Sequence, residues 1–167
     1  MDEYLETGVP GIWALGDIVG KNLLKHGANL EAAYVAHNIF APDGRVAVDY
    51  HAMPHAIFAS PQVAGVGLTE QDAQRQGVPY SVAVYDYRDT AYGASIEDED
   101  GFVKVLTDPH SQQILGCYIV GTDAATLVRE AANAMRSRLT TDAITEAIYV
   151  HPAMPEVVQR AFGALPV

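Results

Sequence analysis

Residues 101–121 read GFVKVLTDPHSQQILGCYIVG, and this stretch decides the fold. Two apolar runs, Gly101–Thr107 and Gln113–Gly121, flank the turn-forming residues Asp108–Ser111, and this pattern predicts a β-hairpin. The next stretch, Asp123–Leu139, has apolar residues at the spacing of one helix face and predicts the longest helix of the chain. A strand pair and an amphipathic helix are therefore expected side by side in the sequence.

Working outward from the hairpin, more strands are predicted before it and more helices after it. Strand patterns occur at three earlier places: His55–Ala59, Val63–Leu68 and Tyr80–Tyr87. Thr69 is placed to cap a short helix that Gln76 and Gly77 close. Two short helices are predicted near the end of the chain: Thr140 or Thr141 to Ile148, and Pro155 to about Phe162. Because strands come first and helices gather at the end, the predicted fold class is α+β, an antiparallel β-sheet flanked by helices.

The first forty residues have a different pattern. Gly11–Asp17 is predicted to be a short buried strand that ends in a turn at Gly16 and Asp17. A helix is predicted from about Gly27 to Phe40, with these apolar positions: Leu30, Ala33, Val35, Ala36 and Ile39. A strand, a glycine turn and a helix N-terminus are a frequent nucleotide-site geometry, although the pattern alone favours an ordinary structural turn. We place the domain boundary after this region, with one domain at 1–48 and the other at 49–167.

Composition limits the class of protein. Of the 167 residues, 49% are apolar and 19% are charged, which is a globular composition. The formal net charge of −11 argues against nucleic acid and anionic membranes as partners. The acidic start and the lack of an apolar run of ~18 residues predict a cytoplasmic protein without a membrane span. The single cysteine, Cys117, is expected to be a small buried hydrophobic residue rather than a nucleophile.

The stretch 149–156, YVHPAMPE, carries the residues best suited to catalysis. A carboxylate such as Glu156, bonded to one ring nitrogen of His151, would fix the tautomer of the imidazole and support its protonated form. Such a pair suits general acid/base chemistry with a thiol partner. That thiol must come from elsewhere, since Cys117 is the only cysteine. Taken alone, a His-Pro pair is more often an ordinary turn, so this motif needs support from the rest of the sequence.

Three blocks together resemble the FAD-dependent pyridine-nucleotide disulfide oxidoreductases. Residues 7–17, TGVPGIWALGD, resemble the second flavin-contacting motif of that family, and 58–70, FASPQVAGVGLTE, resemble the opening of its dimerisation domain. Residues 151–156, HPAMPE, are similar to its catalytic His-Pro-x-x-x-Glu. The blocks occur in family order and cover essentially the whole chain. Residues 24–29, LKHGAN, together with HPAMPE, resemble the mycothione reductase and dihydrolipoamide dehydrogenase branches most.

The resemblance implies a cofactor-binding role for four residues of the first domain. Asp17 would bond the ribityl chain of FAD. The backbone around Leu24, Lys25 and His26, where the helix starts, would face the pyrimidine oxygen of the flavin.

For the second domain the resemblance implies a catalytic pair. His151 would be the acid/base that protonates the departing substrate thiolate, and Glu156 would orient its imidazole. In this family the histidine serves the flavin and disulfide of the other subunit, so the resemblance also implies a homodimer. It implies a cis peptide bond between His151 and Pro152 as well.

Several parts of the family pattern have no counterpart in this sequence. These are the N-terminal Gly-x-Gly-x-x-Gly, the redox-active Cys-x-x-x-x-Cys and the NAD(P)H domain. The chain is therefore interpreted as the C-terminal third of such an enzyme, either excised or a truncated gene product. The parent would pass electrons from NAD(P)H to FAD, to the cysteine pair and to a small disulfide such as lipoamide or a low-molecular-weight thiol disulfide. The chain alone is expected to be inactive and to retain little FAD.

Two other classes of function remain open from the sequence. One is a stand-alone, non-catalytic dimerisation module that keeps His151 and Glu156 without using them. The other is a metal or small-ligand protein that uses the six histidines: His26, His37, His51, His55, His110 and His151. Their spacing is scattered apart from His51 and His55, so no metal site is predicted.

Overall fold

The computed structural model describes residues 1–166. The chain divides into two compact units, the first Met1–Tyr50 and the second beginning at His51. This division falls just after the boundary placed from the sequence between 48 and 49. The assignment of the first unit to a flavin-binding domain stays a prediction.

The strand predicted over Gly11–Asp17 is wrong. Among the described residues, its backbone forms one isolated antiparallel bridge, between Trp13 and Glu6. It then turns into a 3-10 helix at Gly16–Val19. A strand needs a neighbouring strand to pair its backbone groups, and the pairing between this segment and its neighbour is limited to one bridge. Gly16 has a φ of +77°, which takes the chain out of the extended region.

Helix α1, Lys25–Phe40, forms where a helix was predicted and begins two residues earlier than expected. Its buried face differs from the predicted apolar stripe. The buried residues are Gly27, Glu31, Val35 and Asn38. They recur every three or four residues and so lie on one face of the helix. Ile39, one of the apolar positions of the predicted helix, is 46% exposed. Two polar side chains therefore lie on the inner face of α1.

The second unit contains the predicted antiparallel sheet. Its five strands are β1 His55–Ile57, β2 Gln62–Gly67, β3 Ser81–Asp86, β4 Phe102–Thr107 and β5 Ile114–Gly121. Their order across the sheet is β1-β2-β5-β4-β3, and every neighbouring pair is antiparallel. The hairpin β4–β5 lies inside the sheet, with Val103 opposite Ile119 and Val105 opposite Cys117. Asp108 stabilises its turn by accepting the backbone N–H groups of His110 at 2.9 Å and Ser111 at 2.7 Å.

Five α-helices accompany the sheet in the described part of the second unit: α2 Glu70–Gln76, α3 Ala91–Ser95, α4 Ala124–Arg136, α5 Asp142–Thr145 and α6 Glu156–Gly163. Thr69 caps α2 as predicted, in a reciprocal capping box with Asp72. Helix α3 was not predicted, because five residues are too few to show a helical period. Its N-terminus is fixed by the Thr90 hydroxyl, which accepts the N–H of Gly93 at 3.0 Å. The α+β class is confirmed.

The core of the second unit lies between the sheet and helices α4 and α6. Helix α4 buries an entirely apolar face: Ala124, Leu127, Val128, Ala131, Ala132, Ala134 and Met135. Helix α6 adds Val157, Val158, Ala161 and Phe162 to the same cluster. Each large side chain fully buried in this way contributes about 1.5–3 kcal/mol. This layer fixes the start of α6, and with it the position of Glu156.

Cys117 belongs to this core and is fully buried. Burial raises the pKa of its thiol to about 12. The thiolate is the reactive form of cysteine, so the structure agrees with a packing role for Cys117. Over the described residues, no helix has the length and apolar character needed to cross a membrane.

Candidate functional site

The structure brings His151 and Glu156 together. Nδ1 of His151 lies 2.9 Å from Oε1 of Glu156. A carboxylate can only accept, so Nδ1 is the donor in this contact. The second oxygen of Glu156 accepts the backbone N–H of Ala153 at 2.9 Å. Both carboxylate oxygens are therefore used inside the segment 151–156, and Nε2 is the ring nitrogen turned away from the pair.

The two side chains differ sharply in exposure. The side chain of His151 is 68% exposed, whereas that of Glu156 is 12% exposed. The hydrogen bond from His151 and then the N–H of Ala153 lower the pKa of Glu156 below its ordinary value. The carboxylate thus stays ionised at neutral pH and holds a projecting imidazole. A fixed anion behind an accessible ring is the arrangement that a histidine acid/base requires.

The backbone around His151 is held from both ends although it has no regular secondary structure. Gln159 of α6 donates its side-chain amide to the carbonyl oxygens of Thr145 and Ala147, each at 3.2 Å. The peptide bond between His151 and Pro152 is cis. Met154, in the middle of the motif, is 6% exposed and packs in the core. The imidazole therefore projects from a segment anchored on both sides.

A second pair beside this segment was missed in the sequence. The hydroxyl of Tyr149 donates to Oε1 of Glu130 on α4. Burial raises the pKa of Glu130, and the hydrogen bond from Tyr149 opposes that shift. Tyr149 turns inward, while its neighbours Ile148 and Val150 are 101% and 78% exposed. The available signal was Glu130 itself, a carboxylate within the apolar period of a core helix.

The first unit contains the other four predicted site residues. Asp17 is exposed and lies in the 3-10 turn Gly16–Val19. Gly16 donates its backbone N–H to Oε2 of Glu31 at 2.6 Å, which holds this turn against helix α1. The structure thus places Asp17 on a turn with a buried attachment point.

Helix α1 begins at Lys25, and the preceding residue, Leu24, is its N-cap in an extended conformation. Leucine has no acceptor with which to cap a helix, and the first turn contains no acidic residue. The positive end of the helix dipole at Lys25 and His26 is therefore not countered by its own first turn. Two exposed apolar side chains belong to the same loop, Ile18 at 84% and Leu23 at 69%.

Over 1–166, no group of three or more His, Cys, Asp or Glu side chains could hold a metal ion. Two of the histidines bond backbone carbonyls through Nε2: His37 to Gly44 at 3.1 Å and His51 to Met135 at 2.9 Å.

Comparison with known proteins places this chain in one class. The family model described as "pyridine nucleotide-disulphide oxidoreductase, dimerisation domain" matches residues 53–162. Mycothione reductase of Mycobacterium tuberculosis is 41% identical over 99% of this chain and 37% of its own length. Dihydrolipoyl dehydrogenase of Chlamydia muridarum is 39% identical over 93% of this chain and 33% of its own length. The chain belongs to the pyridine nucleotide-disulphide oxidoreductases and contains their dimerisation domain.

Solved structures show the same fold. LpdA from Mycobacterium tuberculosis aligns with a TM-score of 0.87 at 22% identity, over 97% of this chain and 35% of that one. The HOCl-induced flavoprotein disulfide reductase RclA from Escherichia coli aligns with a TM-score of 0.88 at 22% identity, over 98% of this chain and 38% of that one. The chain therefore spans little more than a third of the length of the relatives it matches.

Proposed function

We propose that this chain is the C-terminal part of a flavoprotein disulfide reductase, in which it forms the dimer interface and supplies an acid/base pair. The observation that carries the proposal is the contact between His151 and Glu156. The carboxylate is nearly buried, is bonded on both oxygens, and supports an imidazole that is 68% exposed. A histidine that only stabilised a turn would not need such a support.

The proposed chemistry is dithiol/disulfide exchange with a small disulfide, such as lipoamide or a low-molecular-weight thiol disulfide. A thiolate of the parent enzyme attacks one sulfur of the substrate, the S–S bond breaks, and the departing thiolate takes the proton from Nε2 of His151. This step leaves a mixed disulfide between the parent enzyme and the other half of the substrate. The neutral imidazole then accepts the proton of the parent's second thiol, and the resulting thiolate attacks the mixed disulfide. The parent's own disulfide forms, and the second substrate sulfur leaves as a thiolate that takes the proton from Nε2. Glu156 keeps Nδ1 protonated throughout, so Nε2 is the atom that exchanges the proton. The thiols come from outside this chain, because Cys117 is buried and unpaired.

The residues of the first unit fit FAD. An exposed carboxylate on Asp17 can accept hydroxyl hydrogen bonds, and the dipole of α1 at Leu24, Lys25 and His26 favours an electron-rich oxygen. The exposed side chains Ile18 and Leu23 suit an aromatic ring system. When bound, FAD would relay electrons from NAD(P)H to the redox disulfide of the parent. The chain alone would hold FAD weakly, since these residues form only one side of such a site.

A homodimer is the proposed assembly. Apolar side chains are exposed on the second unit, among them Phe58 at 81%, Ile57 at 60% and Val84 at 52%. Exposed apolar surface of this kind marks interaction sites, and a second copy of the dimerisation domain would cover it with twofold symmetry. A cytoplasmic location is proposed as well, since the lone buried thiol is compatible with a reducing compartment.

The test is a chimera in which this chain replaces the matching segment of Mycobacterium tuberculosis mycothione reductase. Turnover of mycothione with NAD(P)H is measured beside flavin reduction alone. His151→Ala should slow turnover by ~100- to 10,000-fold, as expected for a removed acid/base. It should leave flavin reduction unchanged, and Glu156→Gln should have a smaller effect on turnover.

The matched control is His110→Ala, which removes an exposed histidine from the β4–β5 turn. Equal turnover of the His110 and His151 variants would overturn the acid/base role. The chain alone is expected to be a colourless dimer by light scattering and absorbance. A dimeric chain whose chimera is inactive would favour the stand-alone dimerisation module instead.

A further inference from the structure

Glu31 is a fully buried carboxylate in the middle of α1, with 0% exposure. Its Oε2 accepts the backbone N–H of Gly16 at 2.6 Å, and its Oε1 accepts the hydroxyl of Tyr50 at 2.7 Å. Removing a carboxylate from water is strongly unfavourable unless hydrogen bonds compensate. An apolar residue at this position would pack without that penalty. Its two bonds therefore indicate a purpose other than packing.

The bonds of Glu31 join three separate segments of the first unit. They connect the turn Gly16–Val19, helix α1 and Tyr50. Lys21 extends the connection, since its Nζ lies 4.1 Å from the centre of the Tyr50 ring. The loop that carries Asp17 is thus held at its start by Glu31 and further along by Tyr50.

The turn approaches helix α1 at Gly16. Gly16 adopts a φ of +77°, and a Cβ at this residue would lie 3.6 Å from Cβ of Ala28 on α1. Because glycine has no side chain that could pack in the core, the contact that orients the turn at Gly16 is made by its backbone N–H. Fixing that N–H on Glu31 sets the direction of the next residue, Asp17, which is exposed.

We propose that Glu31 and Tyr50 are positioning residues that aim the Asp17 turn at the flavin. This inference rests on the proposed function, in which Asp17 contacts FAD. Glu31 acts through the Gly16 N–H, and Tyr50 acts by holding the other oxygen of Glu31. The ligand class served by the arrangement is a flavin with a polyhydroxy chain.

Asn38 provides a matched control on the same helix. It is as buried as Glu31, at 1% exposure. Its amide donates to the carbonyls of Tyr4 at 3.2 Å and Val46 at 3.0 Å, and its Oδ1 accepts the N–H of Val46 at 2.8 Å. Asn38 thus ties α1 to other segments than the Asp17 turn. Replacing it tests the loss of a buried polar residue without loss of the Gly16 contact.

The first experiment uses the chain as it is. Amide hydrogen exchange by NMR compares Gly16 with Val35, a buried residue of α1 that serves as internal reference. In Glu31→Ala the Gly16 amide should exchange about tenfold faster relative to Val35. Glu31→Gln, which keeps an acceptor, should restore most of the protection. In Asn38→Ala the ratio of the Gly16 exchange rate to the Val35 exchange rate should stay as in the parent chain. An unchanged ratio in Glu31→Ala would overturn the proposal.

The second experiment measures FAD content and FAD affinity of the mycothione reductase chimera. Glu31→Ala should weaken FAD binding about tenfold or more, Tyr50→Phe should weaken it less, and Asn38→Ala should leave it unchanged. Full FAD affinity in Glu31→Ala, in a chimera that binds FAD, would overturn the positioning role alone. A parent chimera that folds and dimerises without FAD would overturn the proposed flavin site, and the positioning role with it.

Discussion

Helices α1 and α4 bury opposite kinds of surface. The fully buried residues of α4 are all apolar and its one carboxylate, Glu130, is only half-buried, whereas the fully buried residues of α1 include Glu31 and Asn38. At the same time α1 exposes Ile39 at 46% and Phe40 at 86%. Helix α4 packs a sheet, and its energy comes from area removed from water. Helix α1 contacts loops, and two of its buried side chains, Glu31 and Asn38, form hydrogen bonds to the backbone of those loops.

The first way to break this comparison is Leu127→Ala on α4. Leu127 is 6% exposed within the core cluster, so the variant should lose about 2–5 kcal/mol of the free energy of unfolding of the second unit. Denaturant titration by circular dichroism measures the loss. The control is Thr126→Ala at the exposed neighbouring residue, and its free energy of unfolding should stay within about 0.5 kcal/mol of the parent value.

Trp13 makes the test specific to one unit. It is the only tryptophan of the chain and lies in the first unit, so its fluorescence reports the unfolding of that unit. In Leu127→Ala the fluorescence transition should keep its midpoint while the circular dichroism transition moves. A fluorescence midpoint that moves equally would mean that the two units unfold together.

The two helices also explain what the sequence could and could not predict. The strands of the second unit and helix α4 follow the apolar periods of 2 and 3.6 residues, so each was predicted close to its observed bounds. In α1 the apolar positions of the sequence included Ile39, which is exposed. A hydrophobic pattern cannot show that the polar residues Glu31 and Asn38 lie on the buried face of the helix. The strand predicted over Gly11–Asp17 failed for a related reason: an apolar run does not say whether a partner strand exists.

The candidate site divides in the same way. His151 and Glu156 were found because they are close in sequence and carry chemistry in a short motif. Tyr149 and Glu130 lie 19 residues apart and meet only through the packing of α4. Glu31 and Gly16 lie 15 residues apart and meet only through the turn before α1. Contacts of this kind depend on tertiary structure and have no local signature.

Asn38→Ala is the corresponding test on α1. It leaves the N–H of Val46 and the carbonyls of Tyr4 and Val46 without their partner, so the first unit should lose about 1–3 kcal/mol. Trp13 fluorescence during denaturation measures the change. If a leucine at position 38 restored full stability, the inner face of α1 would be an ordinary packing surface, and the contrast with α4 would fail.

Tyr149→Phe tests the hydrogen bond that Glu130 of α4 accepts from Tyr149. The ring keeps its packing but the carboxylate of Glu130 loses its donor, so the second unit should lose about 1 kcal/mol, the contribution of one hydrogen bond. Glu130→Gln should not show this loss at neutral pH. Burial raises the pKa of Glu130, so its charged form disfavours the folded state above that pKa, and the neutral amide removes this effect.

The pH dependence separates these variants. Protonation of Glu130 favours folding. As the pH falls towards the raised pKa of Glu130, the free energy of unfolding of the parent chain should therefore increase relative to that of Glu130→Gln. Chemical denaturation at a series of pH values from 4 to 8 measures the difference. A stability difference between the two that is constant over this range would show that Glu130 does not titrate in the folded protein with a raised pKa.

The smallest expected effect concerns Glu156, whose pKa is lowered mainly by His151. A lowered folded-state pKa stabilises the protein above the ordinary pKa of glutamate, about 4.3. This contribution should be lost as the pH falls through the folded-state value. The parent chain should therefore lose its stability advantage over Glu156→Gln below pH 4. This change has the opposite sign to that expected for Glu130→Gln, over which the parent chain gains stability in acid. If the stability of the two glutamine variants changed with pH in the same way in acid, Glu156 would not be the support of His151 and Glu130 would not be a half-buried acid with a raised pKa.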